Sequence, residues 1–581
     1  MKKNILKIFK LEFPILLILF FAIGIRLWGI GFGLPQVHIG DEGALVYAAL
    51  YSGSEFLKPL RFQYGALVPY ILLLEYLIYY GINVLLGKFL VPFDLIVTFA
   101  KDPSILLLLG RWTMALFGVA TIWLVYLVGK QFFNKRIGLL AAFFLAISFL
   151  HVKESHYLKE GNLAAFFALA CFYFTLKILK KRNKWDYMGA GITLGLGIGT
   201  KFEPILMAPV VFMSHLLAHK KFTFHNLTYF FLGLIPSIVI TFPYLLINPV
   251  AYHQKFLAEF KLTTTVYPLY LQGKPIWWWF FSTHIPQGLG IGLFVLAVIG
   301  FMISVVRAKR NHQYLFVPML PIIFLTTIDF WQKYHNARYA LLILPFFTLA
   351  TGICLDLIFI RFRKKPLQIV FMTVAIISLS WTSFMRTVKF NTMLKKPDTR
   401  TIGKQWIEKN IPAGAKILIE SMVRPEYPAN INVPLTLSSA RIDDYIKQAQ
   451  FSGYPATYLS ALKTAISDSV GYDLVATPRV DLVKDLMTDV STPLTSAAYW
   501  VTQKVDYLVI SGWHVKPDVS VNFQKTIDEN YLLLKEFQPF PQFSHDPHFV
   551  QMDYQALDSI DIKSEKLVFG PSIFIYKSKR M

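Results

Sequence analysis

The chain has 581 residues, 55% of them hydrophobic and only 16% charged, with a mean hydropathy of +0.48. A soluble globular chain carries about 25% charged residues, so this composition excludes an ordinary soluble enzyme as well as disordered, collagen-like and disulfide-scaffold proteins. The net charge of +23 raises nucleic acid as a partner class, and the placement of the charge excludes it. From residue 386 onward there are 23 Lys+Arg and 21 Asp+Glu; residues 1–385 hold the other 35 basic and 14 acidic residues. There the basic residues fall in short clusters between apolar runs, such as Lys180, Lys181, Arg182 and Lys184, or Arg361, Arg363, Lys364 and Lys365. That is the pattern of cytoplasmic loops in a multispanning protein, whereas a nucleic-acid surface gathers its charge on a soluble domain.

The first apolar run, 13–30, follows a basic start and shows no small-residue cleavage site. It reads as a retained first helix rather than a signal peptide. Further spans are predicted over 66–86, 108–128, 137–152, 162–180, 187–200, 204–219, 226–247, 287–306, 314–328, 339–360 and 366–384. Placing every basic cluster inside requires the stretch 89–104 to cross or re-enter, which gives about thirteen crossings. The N-terminus is then cytoplasmic. The outer segments are 31–65, 151–161, 200–204, 248–286, 329–338 and everything after 386. Cys171 and Cys354 lie inside apolar runs and read as free core cysteines, with no CxxC or zinc spacing.

The outer segments carry the unusual polar residues. The first contains His38-Ile39-Gly40-Asp41-Glu42, then an aromatic stretch that reads as a short interfacial helix. Acids next to the hydrocarbon edge are costly and tend to be functional; the alternative is that Asp41 caps this helix and Glu42 is solvated. The second runs from His151 to Asn162. Its lysines and histidines, Lys153, His156 and Lys159 among them, suit a phosphate, and Glu160 suits a cation or an acceptor. Interfacial snorkelling of Lys153 and Lys159 is the alternative. Lys201, Arg111 and Arg338-Tyr339 add candidate anion contacts, because arginine grips phosphate with several directed donors and lysine acts as a point charge. Acids on one loop and cations on several others suit transfer of a group from a phosphate-containing lipid.

The region 386–581 reads as a compact α/β domain. Asp398 is placed to cap a helix ending near Asn410, and strands are predicted at Lys416–Glu420, Tyr507–Ile510 and Ile573–Tyr576. It has no nucleophile motif, phosphate loop or metal spacing, so a lid or acceptor-docking module is expected.

In order along the chain, Asp41-Glu42, Gln63-Tyr64-Gly65, Gly110-Arg111, Ser155-His156-Tyr157, Gly195 to Lys201, Arg338-Tyr339, Asp398-Thr399-Arg400 and the final Gly570-Pro571 resemble polytopic glycosyltransferases of the GT-C superfamily, specifically the protein mannosyltransferase and aminoarabinose transferase (family 39-like) group. The resemblance implies a GT-C fold: an α-helical polytopic catalytic domain over 1–385 and an extracytoplasmic α/β domain over 386–581. It implies an inverting transferase of the cell membrane that takes a sugar from a polyprenyl-phosphate donor to a protein, lipid or glycan hydroxyl. Asp41 would be the base, supported by Glu42. Arg111, Lys201, Arg338, His156 and Lys159 would meet the donor phosphate; Glu160, Tyr64 and Tyr339 would serve the acceptor or supply a second acid. Glu160 stands where relatives often have Asp. No cofactor is firmly implied; a divalent cation held by Asp41 and Glu160 is the alternative. A transporter or lipid-linked glycan flippase is the rival class, which would carry inverted repeats and broken midplane helices.

Overall fold

The structure is a computed structural model and describes residues 2–54, 57–59, 65–219, 224–265, 274–331, 336–361, 365–419, 433, 435–439, 442–443, 446, 456–467, 470–476, 504–512, 521–538 and 568–580. The chain divides into two units. One comprises Met1–Ile30, Ser54–Ile71 and Gly110–Asn391; the other Gly31–Gly53, Leu72–Leu109 and Thr392–Met581. Among the described residues seven helices are long and apolar enough to cross a membrane, or eight if one bent pair counts as a span. The protein is an integral membrane protein. The stretch 89–104, expected to cross or re-enter, forms a helix of only nine residues, Phe93–Lys101, about 13 Å long and too short to cross a hydrocarbon core of about 30 Å. Asp94 explains its start, since its carboxylate accepts from the Leu90 and Val91 amides at 2.7 and 3.0 Å.

In the first unit, two local features set where polar residues sit. The single span expected over 137–152 is two helices, Lys135–Ile147 and Phe149–Ser155, meeting at 60°. Neither proline nor glycine stands at the break. The Ser383 hydroxyl instead accepts from the Phe149 amide at 2.9 Å and donates to the Ile147 carbonyl at 3.0 Å, while Ser148 Oγ donates to the Gly288 carbonyl at 3.0 Å. Hydroxyls thus take up the backbone groups that the break frees, as a helix broken within an apolar bundle requires.

The second feature is a glycine face. The helix Lys184–Thr200 presents Gly191, Gly195 and Gly199 to the helix Phe224–Thr241. A Cβ at these positions would come within 2.0 Å of the Phe230 carbonyl oxygen, 2.6 Å of Ser237 Cβ and 2.3 Å of Thr241 Oγ1. Gly233 answers from the other helix, 2.4 Å from the Met188 carbonyl oxygen on the same measure. Small residues spaced by four let two helix backbones touch where no hydrophobic force separates protein from lipid. The Lys184–Thr200 helix ends because Pro204 cannot continue it, and a 3₁₀ turn, Glu203–Met207, follows. The spans expected at 187–200 and 204–219 correspond to the helices Lys184–Thr200 and Ala208–Ala218, joined by a polar break at Lys201.

In the second unit, five strands form one sheet: β1 (Lys416–Ile419), β2 (Asp473–Ala476), β3 (Tyr507–Gly512), β4 (Tyr531–Phe537) and β5 (Ser572–Ser578), in the order β2-β1-β3-β5-β4. β1 pairs in parallel with β2 and β3; β5 pairs antiparallel with β3 and β4. Alternate residues go to opposite faces. Ile417 and Ile419 join Ile407 and Ile411 of the helix Thr399–Asn410, whereas Leu418 joins Ile527 of the helix Val521–Asn530. Helices therefore cover both faces, and the α/β expectation holds, with β2 and β4 added to the three predicted strands.

Candidate active site

Three of the expected residues meet in the first unit. Where the Lys184–Thr200 helix stops, Lys201 Nζ lies 2.5 Å from Glu203 Oε1 and 4.1 Å from the centroid of the Tyr339 ring. The guanidinium of Arg338 lies 5.7 Å from the same ring. Asn336 fixes this second strand of the site: its side chain caps the 3₁₀ helix Ala337–Leu342 by accepting from the Arg338 amide at 3.1 Å. Tyr339 is thus flanked by two cations. Glu203, not selected from the sequence, completes the group.

Arg111 and His156 meet the chain just past the C-terminal end of the first helix, Lys2–Leu27. Arg111 donates to the Ile30 carbonyl at 2.9 Å, and His156 Nε2 lies 3.1 Å from the Trp28 carbonyl oxygen. Asn391 donates to the Ile25 carbonyl at 2.5 Å. A helix leaves its last carbonyls without partners, and cationic side chains there offset its dipole. Both side chains are fully buried, and the other nitrogen of His156, Nδ1, lies 2.9 Å from the Val152 carbonyl oxygen. His156, expected at a phosphate, stands between two backbone carbonyls, and a neutral imidazole donates to one of them.

The segment 151–162 is set by a group that the sequence reading missed. Arg26, wholly buried, donates to Ser155 Oγ at 3.2 Å, to His151 Nδ1 at 2.8 Å and to the carbonyls of Ala22 and Ala146 at 3.1 and 3.2 Å. Ser155 Oγ also accepts from Asn162 at 3.1 Å. Gly118 makes room, since a Cβ there would stand 2.6 Å from Ser155 Oγ. An arginine inside the first apolar run was the available signal. Lys153 is buried, 3.8 Å from Glu154, so it does not snorkel. Lys159 and Glu160 are half-buried. Lys159 lies 5.8 Å from the centroid of the Tyr157 ring. The Glu160 side chain does not cap the helix Gly161–Lys181 that follows it.

In the second unit, Asp41 and Glu42 occupy the first turn of the helix Gly40–Ser54. The Ile39 carbonyl accepts from the Glu42 and Gly43 amides at 3.2 and 3.4 Å. Asp41 therefore lies inside the helix rather than at its cap, where amide dipoles favour a carboxylate. Glu42 is buried and Asp41 half-buried. Nearby in the chain, His38 Nε2 shares a hydrogen bond of 3.3 Å with Thr401 Oγ1.

Asp398 caps the Thr399–Asn410 helix, accepting from the Arg400 amide at 2.9 Å, and its two oxygens also accept from Arg400 Nε and Nη2 at 2.8 Å each. Burial alone would raise the Asp398 carboxyl, but the charges of Arg400 and His38 and the hydrogen bonds from Arg400 outweigh it and hold the group well below the usual carboxylate range. Tyr64 lies outside the described residues. Among the described residues no group of three or more His, Cys, Asp or Glu side chains is placed to hold a metal.

Residues 107–247 match the family described as dolichyl-phosphate-mannose-protein mannosyltransferase. This segment contains Arg111, His156, Lys159, Glu160 and Lys201. No curated protein matches the chain. Among solved structures, ArnT from Cupriavidus metallidurans, bound to undecaprenyl phosphate, is 11% identical, with 97% of this chain and 98% of that one covered and a TM-score of 0.50. The oligosaccharyltransferase AglB from Archaeoglobus fulgidus, in complex with an inhibitory peptide and a dolichol-phosphate, is 13% identical, with 86% and 69% covered and a TM-score of 0.48. The resemblance read from the motifs is thus met by a family match over 107–247 and by a fold shared with ArnT over nearly the whole chain.

Proposed function

We propose that the protein is a GT-C membrane glycosyltransferase that moves a sugar from a polyprenyl-phosphate donor to a hydroxyl of a protein, lipid or glycan acceptor, with inversion, on the extracytoplasmic side of the cell membrane. The observation that carries this reading is the meeting of Lys201, which lies inside the segment matched to mannosyltransferases, with Arg338 and Tyr339, two cations on one ring.

The chemistry follows from the groups present. The acceptor oxygen attacks the anomeric carbon from the face opposite the phosphate, and the Asp41 carboxylate takes the hydroxyl proton. The bond from the anomeric carbon to the phosphate oxygen breaks, and polyprenyl phosphate leaves with one more negative charge. Lys201, Arg338, Arg111 and Lys159 stabilise that charge. Glu42 supports the base, and Glu160, Tyr64 and Tyr339 serve the acceptor. His156 is the remaining candidate for the donor phosphate.

The test is transfer by the purified protein from a polyprenyl-phosphate hexose to a panel of hydroxyl acceptors. Asp41→Asn is expected to lose transfer by roughly 10²- to 10⁴-fold, the value of a positioned general base, with expression unchanged. Transfer at the wild-type rate overturns the assignment of Asp41.

A further inference from the structure

We infer that the first helix of the C-terminal α/β region is a positioning device for the acid pair: Asp398, Arg400 and Thr401 hold residues 36–39, and through them the start of the helix that carries Asp41 and Glu42. This rests on the reading of Asp41 as the base, and it gives the α/β region a role in the reaction other than that of a lid or docking module.

The hold is built in three layers, all within the second unit. The outermost fixes the helix start to the last strand. The Thr399 amide donates to the Phe569 carbonyl at 2.8 Å and Thr399 Oγ1 donates to the Pro571 carbonyl at 2.7 Å. Gly570 allows this approach: its φ is +103°, and a Cβ there would lie 2.1 Å from Thr399 Oγ1 and 2.4 Å from Asp398 Oδ1. The middle layer is the two-pronged Asp398–Arg400 pair. It is fully buried, and its fork geometry leaves the guanidinium one orientation.

The inner layer reaches the loop. Arg400 Nη1 donates to the His38 carbonyl at 3.4 Å, Thr401 Oγ1 meets His38 Nε2 at 3.3 Å, and the same hydroxyl meets Gln36 Oε1 at 3.4 Å. His38 is buried, packed so closely on Gly33 that a Cβ at Gly33 would stand 3.0 Å from its ring. Ile39, next in the chain, supplies the carbonyl that starts the Asp41–Glu42 turn. Each inner contact is long and modest alone. Together they converge on Gln36 and His38 from a support whose side chains are buried and paired. A buried ion pair is weak as a source of stability, but it is well suited to fixing one register.

Asp398, Arg400 and Thr401 are therefore positioning residues, and their loss should change the order of the loop and the turnover step rather than donor binding. The experiment is hydrogen exchange by mass spectrometry on the full-length protein, combined with transfer kinetics on a polyprenyl-phosphate hexose that the wild type turns over. Thr401→Val removes one hydroxyl at constant shape; Arg400→Lys keeps the charge without the fork. Both are expected to speed amide exchange in residues 36–42 by about 5- to 10-fold, the worth of one or two hydrogen bonds, while β1, β3 and β5 stay protected. They should lower kcat by roughly 10- to 100-fold, the effect of a group displaced by about 1 Å, with the donor KM unchanged. Wild-type exchange in 36–42 in both variants overturns the inference, as does faster exchange with an unchanged kcat. An active Asp41→Asn defeats the base assignment instead, and the exchange measurement still decides whether the hold exists.

Discussion

At Lys201 the ammonium is already neutralised by Glu203 and rests on the face of Tyr339. A phosphate arriving there competes with the carboxylate for one lysine. Removing the competitor and removing the lysine should therefore act in opposite directions. Lys201→Gln is expected to weaken binding of undecaprenyl phosphate by about 10- to 100-fold, the value of one charge-assisted hydrogen bond, whereas Glu203→Gln tightens it. Titration of each variant with undecaprenyl phosphate, followed by thermal shift, checks both signs. The lysine was legible in the sequence because it interrupts an apolar region. Glu203 was not, since a carboxylate two residues from a lysine in a polar break reads as solvated until the fold turns it back. Arg26 was passed over for a related reason: whether a polar side chain faces a ligand or a carbonyl of its own chain depends on which helix ends beside it.

At the level of elements, apolar length located nearly every membrane helix, because hydrocarbon thickness leaves little choice of length. The break at Ser148 was invisible, since it depends on Ser383, which lies 234 or more residues away in the chain. The glycine face was legible and unread: Gly191, Gly195 and Gly199 recur every four residues. It yields a contrast. Gly195→Ala forces a Cβ to within 2.6 Å of Ser237 Cβ and 2.9 Å of the Leu234 carbonyl oxygen, whereas Gly81→Ala meets open space. Thermal unfolding in detergent should show Gly195→Ala destabilised by about 1–3 kcal/mol, the usual penalty of overpacking. Gly81→Ala should be neutral or up to about 1 kcal/mol more stable through helix propensity.

For the whole molecule, the charge of +23 sorts by position rather than by partner, with the excess in short clusters between apolar helices. If those clusters orient the chain, Arg310→Cys should react with a membrane-impermeant maleimide only after cells are permeabilised, and Lys395→Cys in intact cells. Both positions are exposed and the native cysteines are buried. The reverse pattern would invert the topology.

His38 and Thr401, which join residues 36–39 to the helix Thr399–Asn410, stand 363 positions apart. At about 5–20 residues added per second, roughly 20–70 s separate their synthesis. The acid pair is thus made early and secured late. If Asp41 is the base and the Thr399–Asn410 helix aligns it, a chain released before residue 398 bears Asp41 and Glu42 yet lacks what aligns them, and competence for turnover arrives only with the end of the chain.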